Sequence, residues 1–113
     1  PGLAEVRALI DFWQCDAAGV YDNAGYTLRG HQFTDALGRW RLETILPGVY
    51  PGRTRHIHLK VQAAGHPVLT TQIYFEGEPG NATDRIFDPR LVLRDWVQDA
   101  TGASGRFDFV LEV

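Results

Sequence analysis

The sequence predicts an all-β fold: a single-domain β-sandwich of two packed sheets with one short helix near residues 89–99. Three observations carry that prediction. Apolar and polar residues alternate with period 2 through several short runs, clusters of Gly, Pro, Asn and Asp interrupt the runs at roughly ten-residue spacing, and only one run has apolar residues near helical spacing. The 113 residues form one domain, 1–113, with no internal repeat; an apolar content of 44% suffices to bury a core without staples.

Residues 4–14, AEVRALIDFWQ, are rich in Val, Ile, Phe and Trp and end at the turn-like Asp16 to Gly19, so they read as a strand and a turn. Asp22 to Gly30 is a polar, glycine-containing loop. Thr34 to Gly38, TDALG, looks like a hairpin turn that leads into a strand over 39–46, where Trp40, Leu42 and Thr44 alternate with Arg41 and Glu43. After Pro47-Gly48, residues 56–63 alternate again, with Ile57, Leu59, Val61 and Ala63 facing a core and His56, His58 and Lys60 facing away. A turn at Ala64 to Pro67 precedes 69–75, which sets Leu69, Thr71, Ile73 and Phe75 on one side and Thr70, Gln72 and Tyr74 on the other. Residues 76–85 form a loop. Pro89 to Asp99 reads as the helix, from Leu91, Val92, Trp96 and Val97, and Phe107, Phe109 and Leu111 alternate in a final strand.

Charge and composition exclude several function classes. A net charge of −3 offers no basic field for a phosphate backbone, so nucleic acid is not an expected partner. No apolar run approaches the ~20 residues of a membrane-spanning helix. The single Cys15 allows neither an internal disulfide nor a cysteine zinc cluster and reads as a small buried filler. The chain opens Pro1-Gly2 without a methionine and is expected to be a processed or excised piece.

The segment PGVYPGRTRHIHLKV, Pro47 to Val61, concentrates the chemistry. Histidines at i and i+2 of a strand project from one face about 6.5–7 Å apart along the backbone, and imidazoles can converge on one metal ion from that separation. A tyrosinate is a hard oxygen donor suited to trivalent iron, and coordination drives off the phenolic proton. Tyr50 lies just before the His56-x-His58 pair, and Tyr21, Tyr26 and Tyr74 are candidates for a second phenol. Zinc hydrolysis by the same histidines is an alternative that two tyrosinates disfavour.

Four blocks in order, WQCDAAGVY (13–21), LRGHQFTDALGRWRLETILPGVY (28–50), GRTRHIHLKV (52–61) and LTTQIYF (69–75), resemble the intradiol ring-cleavage dioxygenases, which act on catechol, protocatechuate or hydroxyquinol. The resemblance implies a non-haem Fe(III) held by Tyr21 and His58 as equatorial ligands and by Tyr50 and His56 as axial ones. It implies that Tyr50 leaves the metal to act as a base, that Arg53 stabilises developing negative charge, and that Gln72 lines the same pocket. The implied partners are small-molecule catechols and O2, with both oxygen atoms inserted to give cis,cis-muconate-type products. The short interval between Tyr50 and His56 resembles compact, often exported members, which favours an extracellular location; a tethered accessory domain outside residues 1–113 is a further expected partner. Trp13 is expected to pack beneath the site, and His31 and His66 to be loop histidines. The block TDALGRWRLETILPGVY is also similar to transthyretin-like sandwich modules, so a non-catalytic binding module of a larger exported protein is the alternative function.

Overall fold

The computed structural model describes residues 7–22, 28–49 and 51–111. Six strands form: β1 (Leu9–Trp13), β2 (Arg29–Phe33), β3 (His56–Gln62), β4 (Leu69–Tyr74), β5 (Arg94–Asp99) and β6 (Gly102–Arg106). The first four make an antiparallel sheet in the order β2-β1-β3-β4, and β5 and β6 make a separate two-stranded sheet. Among the described residues no helix is long and apolar enough to cross a membrane.

Alternation decides which face of the large sheet is buried. Ile10, Ile57, Leu59, Val61 and Ile73 point to one side and are all at most 4% exposed. Trp40, Leu42, Trp96, Phe107, Phe109 and Leu111 cover that side as a second layer. Cross-strand pairing aligns the opposite face into rows. Trp13 pairs with Arg29 on one side and His58 on the other, His58 pairs with Gln72, and His56 pairs with Tyr74. Directly paired residues share a face, so every core side chain on β3 fixes a neighbour on the outer face.

Four expected elements come out differently. The helix over 89–99 is a single 3-10 turn, Pro89–Leu91, followed by a strand. Asp88 accepts from the Arg90 N–H, Val92 is already extended, and the Leu93 N–H donates to the Tyr74 carbonyl at 2.9 Å, so the chain leaves the turn along the sheet edge. Of its helix-spaced apolar residues Trp96 is packed by the strand, whereas Val97 is left 60% exposed. Trp96 packs edge-on against Phe75 with ring centroids 5.2 Å apart, a tertiary contact that overrides local spacing. Residues 39–46 keep half-buried Trp40 and Leu42 but form no ladder, because side chains take the backbone groups. The Gln32 amide brackets the backbone of Arg41 at 2.5 and 3.1 Å, and Gln14 Nε2 donates to the Ile45 carbonyl at 2.8 Å. Residues 107–111 likewise alternate in burial without strand pairing; their strand partner role falls to Gly102–Arg106, which pairs with β5. The polar loop expected over 22–30 ends early, since Arg29 and Gly30 already belong to β2.

Pro47-Gly48 ties the chain to the turn after β1. The Gly48 N–H donates to the Asp16 carbonyl at 2.8 Å, and Cys15, 1% exposed, sets its Sγ 3.4 Å from the Gly48 carbonyl. A Cβ on Gly48 would come within 2.5 Å of the Ala17 carbonyl oxygen and 2.6 Å of the Gly19 nitrogen, both rigid backbone. Gly52 differs: its φ is +78° but nothing lies near its Cβ position. Gly48→Ala is therefore expected to cost roughly 3 kcal/mol in urea unfolding, as overpacking does, and Gly52→Ala about 1 kcal/mol from backbone conformation. Equal losses for the two variants would show that the approach of residue 48 to the 16–20 turn does not constrain the fold.

Candidate metal centre

With Ile57, Leu59 and Val61 committed to the core, β3 has to present His56 and His58 on its outer face. Trp13, the cross-strand neighbour of His58, lies flat against that imidazole with ring centroids 5.0 Å apart and planes 1° from parallel. The stack limits rotation of the ring. Tyr21 arrives from the turn after β1, where Asp16 Oδ1 accepts from the Ala18 and Val20 N–H groups at 2.9 and 3.0 Å and Gly19 takes a φ of +82°.

The three side chains meet at one point. Tyr21 Oη is 3.0 Å from His56 Nε2 and 3.2 Å from His58 Nε2, and the two Nε2 atoms are 3.1 Å apart. His56 Nδ1 donates to the Thr54 carbonyl at 2.6 Å, which assigns that tautomer and turns the Nε2 lone pair toward the cluster. An imidazole that gives its second nitrogen to a carbonyl is the usual arrangement of a metal-bound histidine. A triangle of about 3 Å edges lets each atom reach a shared ion at roughly 2.0–2.2 Å, the normal bond length for such donors. The donor set of two imidazoles and one phenol therefore fits a ferric ion. Among the described residues no group of three or more His, Cys, Asp or Glu could hold a metal, so this centre depends on the phenol.

The triangle lies in an open cleft of about 570 Å³ whose wall also includes Val20, Arg29 and Arg53. Arg53 Nε donates to Asp84 Oδ2 at 2.8 Å and Nη2 to Gln72 Oε1 at 2.6 Å. Gln72 reaches the cleft through Arg53 and accepts in addition from Tyr74 Oη at 2.9 Å. Tyr74, 1% exposed, is thus a buried aromatic of the outer face whose hydroxyl is satisfied away from the triangle. Arg55 does not line the cleft: its Nε pairs with Glu78 at 2.8 Å, and its Nη1 donates to the Pro47 carbonyl. Tyr50 and Tyr26 lie outside the described residues. His31 is on β2 opposite Asp11, not in a loop, and His66 is in the turn after β3; neither lines the cleft.

Burial lowers the pKa of both histidines. For His56 desolvation outweighs the raising effect of the Thr54 carbonyl. For His58 desolvation, the neighbouring His56 and the Arg53 and Arg29 cations together bring it from the ordinary 6.5 to about 4. Both rings are neutral at neutral pH, the form that binds a metal. Thr54, Asp84 and Arg29 had no signature in the sequence. Thr54 and Asp84 are 30 positions apart and meet only through folding, where Asp84 Oδ2 accepts from the Thr54 N–H at 2.8 Å.

A family model described as dioxygenase matches residues 3–113. The dioxygenase domain of a dioxygenase–carbohydrate-binding protein fusion from Streptomyces sp. SirexAA-E superposes with a TM-score of 0.91 at 57% identity, over 96% of this chain and 70% of that one. Catechol 1,2-dioxygenase from Pseudomonas arvilla C-1 superposes with a TM-score of 0.79 at 30% identity, over 96% of this chain and 47% of that one. The protocatechuate 3,4-dioxygenase beta chain of Burkholderia cepacia is 33% identical, over 93% of this chain and 57% of its own length. The chain spans about half the length of the curated relatives it matches.

The lowered His58 pKa has a testable sign. The unfolded chain binds a proton on this residue near pH 6.5 and the folded chain only near pH 4, so between those values the unfolded state holds more protons. Stability of the metal-free protein is expected to rise with pH across that window and to level off above it. Thermal unfolding measured from pH 4 to 8 checks this, and His58→Gln should flatten the rise; an unchanged slope in that variant would remove His58 as its source.

Proposed function

The chain belongs to the intradiol ring-cleavage dioxygenase family, and from that membership we propose that it cleaves catechol-type aromatics between the two hydroxylated carbons. Both atoms of O2 enter the product, a cis,cis-muconate-type diacid, and Tyr21, His56, His58 and Tyr50 hold the iron. The observation that carries the reading is the triangle of Tyr21 Oη, His56 Nε2 and His58 Nε2, with edges of 3.0 to 3.2 Å.

A ferric ion bound there supplies Lewis acidity toward the two catechol oxygens. The protein's part is orientation and charge. The Thr54 carbonyl and the Trp13 ring hold the two imidazoles in their binding orientation. Tyr50, by its phenolic oxygen, takes a proton from the substrate hydroxyl as the family resemblance implies. Arg53, a fixed cation on the cleft wall, stabilises negative charge as it spreads over the ring. The fusion described for the Streptomyces protein supports a tethered accessory domain here as well.

Protein loaded with ferric ion is expected to be reddish from tyrosinate-to-iron charge transfer, to hold one iron per chain, and to take up oxygen with a catechol. Tyr21→Phe should shift the colour and lower iron affinity. Arg53→Gln should keep the colour and lower kcat by about 100-fold, the loss typical of removing one electrostatic stabiliser. A preparation that stays colourless with ferric ion and consumes no oxygen would favour a transthyretin-like interaction module instead.

A further inference from the structure

We infer that Asp84 is the positioning residue for Arg53: its buried carboxylate fixes the guanidinium on the cleft wall beside the Tyr21, His56 and His58 triangle. The inference deepens the dioxygenase reading and rests on it, since it explains how Arg53 is held for that reaction.

The Asp84 side chain is 1% exposed, and a carboxylate at that depth persists only with partners. It has three. Oδ2 accepts from Arg53 Nε and from the Thr54 N–H, each at 2.8 Å, and Oδ1 accepts from the Ile86 N–H at 2.9 Å. Burial alone would raise this carboxyl, but the Thr54 N–H, Arg53 and the Ile86 N–H outweigh it and hold it below the ordinary carboxylate range. The charge is therefore present at any working pH.

The position of Oδ2 has two consequences. With Nε on Asp84 and Nη2 on Gln72, the guanidinium is gripped at two corners while it lines the cleft. Arginine is otherwise a long, rotamer-rich side chain, and a stabilising cation is effective only if it is in place before charge develops. Asp84 Oδ2 also holds the peptide N–H of Thr54, whose carbonyl holds His56. A single loop carboxylate thus sets both the cation and the backbone from which one imidazole is aligned.

Three measurements test this. In Asp84→Asn loaded with iron, oxygen uptake with catechol should show kcat reduced by about 10- to 100-fold, the range for loss of a supporting partner, with KM close to wild type and, because the Thr54 N–H shares Oδ2 with Arg53, a loss of iron smaller than in Tyr21→Phe. Asn81→Ala is the control for loop integrity: its side chain accepts from Thr54 Oγ1 at 2.6 Å and donates to the Phe75 carbonyl at 2.9 Å, and it does not touch Arg53. It should lower the melting temperature and leave kcat unchanged. Wild-type kcat in Asp84→Asn, or equal kcat losses in the two variants, overturns the inference.

The third measurement needs neither metal nor turnover. The Arg53 Nε–H of wild-type protein should give a resolved proton–nitrogen NMR signal in slow exchange with water, lost in Asp84→Asn. Fast exchange in the wild type overturns the clamp even if the variant does not fold. Wild-type protein that holds iron but takes up no oxygen with any catechol would overturn the dioxygenase reading and with it Asp84's part in turnover, while the Arg53 signal would still decide the clamp itself.

Discussion

The two-sidedness of β3 governs this molecule. Ile57, Leu59 and Val61 are 1 to 4% exposed, and burying side chains of this kind is worth about 1.5–3 kcal/mol each. A slip of one residue would carry all three to the outer face and bring His56, His58 and Lys60 into the core. No single hydrogen bond, at a net ~1 kcal/mol, competes with that penalty. The core thus holds the two imidazoles where they are, and the candidate centre takes its geometry from apolar packing on the opposite side of the same strand.

Neighbouring strands convert that register into a chemical surface. β1 supplies Trp13 as a flat partner for His58, and β4 supplies Gln72 in the same row. Polar groups then complete what the sheet begins. The Thr54 carbonyl, immediately ahead of β3, engages His56 Nδ1, and the loop between β4 and β5 supplies Asp84 to Arg53 and Glu78 to Arg55. Arg55 joins two loops by pairing with Glu78 and donating to the Pro47 carbonyl, which keeps the segment leading to Tyr50 attached to the domain.

The arrangement carries an electrostatic cost that a bound metal would turn to use. Two imidazoles and a phenol crowd within 3.2 Å of one another beside two guanidinium groups, and both rings are driven to the neutral form. Neutral nitrogen lone pairs converging on one point are a poor proton site and a good metal site.

Short-range periodicity was the part of this structure that the sequence determined by itself. Period-2 alternation located β3 and β4, assigned their buried faces, and placed His56, His58 and Gln72 on the outer one, because side-chain direction in a strand depends on nothing beyond the pleat. The spacing of residues within the Asp16–Gly19 and Thr34–Gly38 turns was equally legible, since Asp and Gly there act on their own backbone. Tertiary structure alone decided the rest. Residues 94–99 became a strand because Gly102–Arg106 pairs with them, and in 39–46, which formed no ladder, Gln32 holds both backbone groups of Arg41 and Gln14 the carbonyl of Ile45. The meeting of Tyr21 with residues 35 and 37 positions away, and of Arg53 with Asp84, required the chain to close on itself. The block resemblance implied the first of these meetings, but residue periodicity could not, and neither pointed to Asp84, because such contacts depend on three-dimensional packing among distant segments.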